Sequence, residues 1–280
     1  MHDASDEALE GRLAELDTCV TATPFSRGFY RLIAELVGAA GAEHAVRLAL
    51  VGLLDVELRR HRQLQHLAER QEVSLDDLQE ASEKHRIGTL AVLQFAKNLP
   101  ETQVLATAAG KLIVAQCEYH LRHTTAVVAA LEDVLRLGVD QPLIQFALGY
   151  SRYVLAVEDF TRLRSGGGDS EMPDRLDYQL QCLRAVGALE NGLCGGDFDI
   201  QLYWWMGVIL EAAGLTEAAG DAYDKSTRLM KMSEADEMGD PWSEGSVEEM
   251  ITADEVRLAS EYFKGRFHPS QLLGPESDEW

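Results

Sequence analysis

Apolar residues recur at intervals of three and four along nearly every segment of this 280-residue chain between its glycines and prolines. No extended run alternates as a half-buried strand would. A spacing near 3.6 gathers apolar side chains into one stripe of a helix and scatters them on a strand, so an all-α fold is expected. Helical hairpins that pack mainly on their neighbours can extend to this length without a second core. The chain is 46% hydrophobic and 26% charged, a balance that supports a packed interior rather than disorder.

The stripes can be read off in order. A short helix is expected at residues 8–16, then one carrying Phe29, Leu32, Ile33, Leu36 and Val37 and ending at Gly38. The next starts near Glu43 with Val46, Leu50, Leu53, Leu54 and Val56 and turns polar over residues 58–70. Ser74 followed by Asp77 marks a capped helix start leading to Phe95, and Pro100 ends that helix. Residues 101–137 show a long helical pattern that divides into two helices between Tyr119 and Thr125, where His and β-branched Thr weaken helical propensity. Pro142 opens a helix whose buried face comprises Leu143, Phe146, Ala147, Tyr150, Val154 and Val157, closing at Arg164.

Three consecutive glycines make residues 165–173 a loop, and a helix follows to Glu190. A glycine-marked turn at Gly192, Gly195 and Gly196 precedes a hairpin, and residues 233–246 read as an acidic linker. Ser246 with Glu249 fits a capping box opening a last helix to Phe263, before an extended tail. The expected organisation is an N-terminal helical bundle over residues 1–137, helical hairpins with a Gly-rich loop over 138–232, and linker, final helix and tail over 233–280.

Charge excludes two classes of partner. The formal net charge is −22, and residues 201–280 hold 17 acidic against six basic side chains. Phosphate backbones and anionic membranes require clustered Lys and Arg, so neither nucleic acid nor a membrane is expected, whereas a basic segment of a protein partner suits the surface. Cys19, Cys117, Cys182 and Cys194 form no C-x-x-C pair, which indicates reduced thiols and a cytoplasmic setting. The N-terminus has no signal pattern, and the richest apolar run, residues 45–56, contains Arg47 and Asp55 and is too short to span a bilayer.

The hairpin at residues 203–229, YWWMGVILEAAGLTEAAGDAYDKSTRL, places small and large residues where two packed antiparallel helices need them. Tyr203, Met206, Gly207 and Leu210 on its first helix, Gly214 at its turn, and Ala219, Tyr223 and Ser226 on its second resemble a tetratricopeptide repeat. The unit does not recur at a fixed period, so the remaining helices are expected as irregular antiparallel hairpins stacked around it. The resemblance implies a tetratricopeptide-like α-solenoid in which Gly207 and Ala219 mark the helix crossing. It further implies that Gln201, Trp204, Val208, Glu211 and Ala212 face a concave partner-binding surface. Adjacent Trp204 and Trp205 cannot both enter one helix interface, and an exposed Trp is a preferred binding anchor.

Candidate chemistry is sparse. Cys117, His120 and His123 are spaced three apart and could offer metal ligands from one side of a helix. Glu57 and His61 stand one turn apart and could make a hydrogen-bonded pair, and Arg59, Arg60, Arg62 and Arg70 form a basic island expected as a solvated face or as an intramolecular partner for the acidic C-terminal third. No phosphate-cradling, dinucleotide, zinc-protease or serine-hydrolase motif occurs, and the glycines at 166–168 lack the strand and Lys of a phosphate loop. The expected function is a non-catalytic adaptor, chaperone or regulatory subunit that binds a peptide or helix of another protein, with no cofactor and no metal. Two alternatives are a helical metal-binding protein or enzyme using Cys117, His120 and His123, and a homo-oligomer joined through exposed aromatics.

Overall fold

Helix α4, Ala108–His120, is buried around its whole circumference over Leu112 to Glu118, so it sits inside a layer of other helices. The computed structural model describes residues 11–13, 24–25, 27–39, 44–69, 74–98, 106–165 and 175–239. Among them are a helical turn at 11–13, nine helices and no strand. The helices are α1 (Arg27–Ala39), α2 (His44–Ala68), α3 (Leu75–Asn98), α4, α5 (Thr124–Arg136), α6 (Pro142–Ser165), α7 (Arg175–Asn191), α8 (Phe198–Ala212) and α9 (Thr216–Gly239). The chain divides at Asp140–Gln141 into two compact units. None of the described helices is long and apolar enough to cross a membrane.

In the first unit, α4 packs against α1, α2, α3 and α5. Its residues from Leu112 to Glu118 are all buried. α1 contributes Phe29, Tyr30, Leu32, Ile33 and Val37, and α2 contributes Val46, Leu50, Leu53, Leu54 and Leu58. Leu36 and Val56, expected in these stripes, are only half-buried. α3 starts where expected: the amide of Asp77 donates to Ser74 Oγ at 3.1 Å, and the amide of Ser74 donates to Asp77 Oδ2 at 3.1 Å.

The helical pattern read from residue 101 begins later, because Thr107 accepts from the Gly110 amide at 3.1 Å and so caps α4 at Ala108. The break before α5 falls inside Tyr119–Thr125. There Arg122 takes the left-handed conformation, φ 61°, while His123 N–H donates to Glu118 O and Arg122 N–H to Tyr119 O. This is a Schellman stop with an arginine in the position that usually falls to glycine. Gly138 and Gly214, with φ 83° and 77°, end α5 and α8 by the same bonding pattern.

In the second unit each helix packs on the next, α6 on α7, α7 on α8 and α8 on α9. α6 also touches α8, where Tyr150 meets Trp205 edge-on at 5.0 Å. Two partners give α6 two buried sides. Phe146, Ala147 and Tyr150 are therefore joined in the core by Ile144, Leu148, Tyr153 and Ala156, whereas Leu143, Val154 and Val157 lie at the margin. Gly149 brings α6 against α7, since a Cβ there would stand 2.9 Å from the Ala185 carbonyl.

The hairpin of α8 and α9 turns at Gly214. Its Ala219 and Ser226 are buried, and the Ser226 hydroxyl donates to Ile200 O at 2.9 Å. α9 runs to Gly239, beyond the start of the expected linker at Ser233, because Ala, Glu and Met within 233–239 favour helix despite the acidic composition. The rest of that linker, the capping box at Ser246, the final helix and tail, and the glycine loop lie outside the described residues.

Candidate functional site

The apolar face of α2 gives way to polar residues at Glu57, which lies one and two turns beyond Leu53 and Leu50 and therefore still points inward. On α3, His85 occupies the same stripe as buried Ala81, Thr89 and Val92. His120 ends α4, one turn after buried Gln116. These three helices bring together a carboxylate and two imidazoles whose side chains are 14%, 8% and 6% exposed respectively.

Glu57 Oε2 lies 3.1 Å from His85 Nε2 and 3.4 Å from His120 Nε2. The two imidazole rings meet edge to face at 4.7 Å. The Tyr30 hydroxyl from α1 and the Gln116 side-chain amide stand 3.3 and 3.1 Å from the same His120 nitrogen. Gln116 Nε2 donates to the Phe25 carbonyl at 3.3 Å, and its Oε1 is buried without a hydrogen-bond partner. Arg60 holds the other carboxylate oxygen, donating to Glu57 Oε1 at 3.3 Å.

Burial alone would raise the Glu57 pKa, but the His85 hydrogen bond and the charges of His120, Arg60 and His85 prevail and bring it down to about 2. Burial lowers His120 to about 4, with Glu57 opposing, so its imidazole is neutral at pH 7. Tyr30 is pushed well up by burial and by Glu57, and its phenol stays protonated. Among the described residues, Glu57, His85 and His120 are the group whose ligand atoms, all within 4.8 Å of one another, could hold one cation.

The Cys117–His120–His123 arrangement does not form. Cys117 is buried, with its thiol pushed up to about 12 by burial and by Glu118, and it is not among the side chains that gather at His120. His123 is carried past the end of α4 by the Arg122 turn, and its Nδ1 pairs with Glu118 Oε2 at 2.7 Å. Glu57 pairs with His85 and His120 rather than with His61, whose Nε2 is buried without a hydrogen-bond partner. His85 carried no local signal beyond its place in a stripe of buried residues, because its nearest partner is 28 residues away.

The face of α8 singled out by the resemblance is a separate locality in the second unit. Gln201, Trp204 and Val208 are half-buried there. Glu211 accepts from the Tyr223 hydroxyl at 2.9 Å, and Ala212 is buried, so these two are taken up inside the hairpin. Trp205 is the buried member of the pair, and Trp204 meets it edge-on at 5.2 Å. On the adjacent α7, Leu176, Leu180 and Leu183 are 59%, 46% and 44% exposed. Comparison of the chain with protein-family models, curated proteins and solved structures finds no match.

Proposed function

We propose that this protein is a non-catalytic interaction module in which the tetratricopeptide-like hairpins of the second unit bind an amphipathic helix of a partner protein. The observation that carries this reading is the row Leu176, Leu180 and Leu183 on α7. Leucines at i, i+4 and i+7 form one stripe of a helix, and a stripe left open to water is costly unless something covers it. α7 packs on α8, where Trp204 offers a half-buried aromatic anchor of the kind that concentrates binding energy. Exposed Glu217, Asp221 and Asp224 form a row on α9, and a chain of net charge −22 suits a partner helix bearing Lys or Arg.

The test is recovery of complexes from the native cell with the tagged full chain and with a Leu180→Asp/Leu183→Asp variant. A protein held by the wild type and by an Arg59→Glu control, but lost from the double variant, supports the reading. Identical recovery from all three overturns it. Light scattering on the isolated chain separates a foreign partner from a second copy: a dimer that the double variant abolishes would favour self-association.

A further inference from the structure

We infer that Glu57, His85 and His120 form a binding site for one divalent transition cation of the zinc class, tying α2, α3 and α4 together. Zinc bonds of about 2.0–2.2 Å to nitrogen and oxygen set neighbouring tetrahedral ligands roughly 3.3–3.6 Å apart. The Glu57–His120 separation of 3.4 Å lies in that interval. The Glu57–His85 separation of 3.1 Å opens by about 0.2 Å to reach it, and the two imidazole nitrogens, within 4.8 Å of each other, close toward the same interval as the rings turn onto the cation.

The hydrogen bonds around His120 support the same conclusion. The Phe25 carbonyl can only accept, so it fixes the NH2 group of Gln116 toward itself, and that group also faces His120 Nε2. An NH2 group only donates, so this imidazole nitrogen carries a lone pair and the ring proton sits on Nδ1. Glu57 Oε2, 3.4 Å away, carries lone pairs as well. An imidazole nitrogen has a single lone pair, so a cation bound here takes it over from the Gln116 amide and the Tyr30 hydroxyl, and replaces the acceptor–acceptor contact with Glu57 by two bonds.

The rest of the surroundings fits a metal. Arg60 engages Oε1 of Glu57, which leaves Oε2 to the cation and fixes the carboxylate plane. One oxygen and two imidazole nitrogens suit zinc, cobalt or ferrous iron better than calcium or magnesium, which take oxygen cages. Three protein ligands leave a fourth position for water.

The test uses the metal-free full chain titrated with Co2+ and then Zn2+. We expect one equivalent of Co2+ with the visible absorption of a four-coordinate site, displaced by Zn2+, and a higher melting temperature with Zn2+. Glu57→Gln and His85→Ala should each lower Zn2+ affinity by on the order of a hundredfold or more, while His123→Ala leaves it unchanged. Proton NMR of the Co2+-loaded wild type should show two shifted Nδ1–H resonances, one from each ligating ring, a readout that does not depend on the variants folding. Failure of the wild type to bind stoichiometric metal, or retention of metal by folded Glu57→Gln and His85→Ala, overturns the site. Because the leucine row lies in the other unit, neither outcome bears on partner binding.

Discussion

Gly207 of α8 lies directly beneath the ring of Tyr223 of α9, so close that a Cβ on it would stand 2.5 Å from Cε1. The ring occupies the place of the missing side chain, and the Tyr223 hydroxyl is tied to Glu211 on the same helix as Gly207. Gly207→Ala is therefore expected to push the helices apart and to cost about 1–3 kcal/mol. Gly220, exposed on α9 with nothing within 4 Å of its Cβ position, gives the opposite sign: Gly220→Ala should add about 0.5–1 kcal/mol. Urea unfolding of both variants checks the pair.

Arg122 holds a left-handed backbone at the end of α4 while its side chain is exposed. An L-residue there costs roughly 1–2 kcal/mol, part of which glycine recovers. Arg122→Gly should raise stability by about 1 kcal/mol, whereas Gly138→Ala and Gly214→Ala, at φ 83° and 77°, should lower it by a similar amount. Thermal melts of the three variants decide.

The two adjacent tryptophans separate folding from binding. Trp205 is 6% exposed and packs against Tyr150 and Phe146, so Trp205→Ala should cost about 3–5 kcal/mol. Trp204 is half-buried, and Trp204→Ala should cost clearly less while lowering recovery of a partner. Unfolding curves beside the same pulldown read both effects.

Acid should weaken the metal-free first unit in a defined window. Below its ordinary value of 6.5 His120 takes a proton in the unfolded chain, while the folded chain refuses that proton until about pH 4. The unfolded state binds more protons in that interval, so stability falls as pH drops through it, by on the order of 3 kcal/mol in all. Glu57 acts with the same sign: its carboxyl is held at about 2 against 4.5 in the unfolded chain, and its contribution is lost as pH falls from the higher value to the lower. A His120→Gln variant should lose the slope above pH 4.5, as denaturant midpoints measured across the range would show.

Local chemistry was enough to read most of the helices. The Ser74–Asp77 cap, the division between Tyr119 and Thr125, the start at Pro142 and the turn at Gly214 each depend on bonds or propensities within a few residues. Readings that depended on distant neighbours went astray. The buried side of α6 was drawn as one stripe, but α7 and α8 cover it from two directions. The later start of α4 and the later end of α9 reflect a Thr107 cap and a run of helix-forming residues that the general pattern did not weigh.

By itself, then, the amino-acid sequence determined that this chain is helical and where most of its helices stop, since periodicity and capping are short-range; that the ring of Tyr223 fills the space over Gly207 came from the packing of α8 on α9. Tertiary structure alone decided that Trp205 is the buried tryptophan and that His120 meets Glu57 and His85 instead of Cys117 and His123. An imidazole finds its partners across the packed faces of helices, and Glu57 and His85 are 28 residues apart in the chain yet 3.1 Å apart in space.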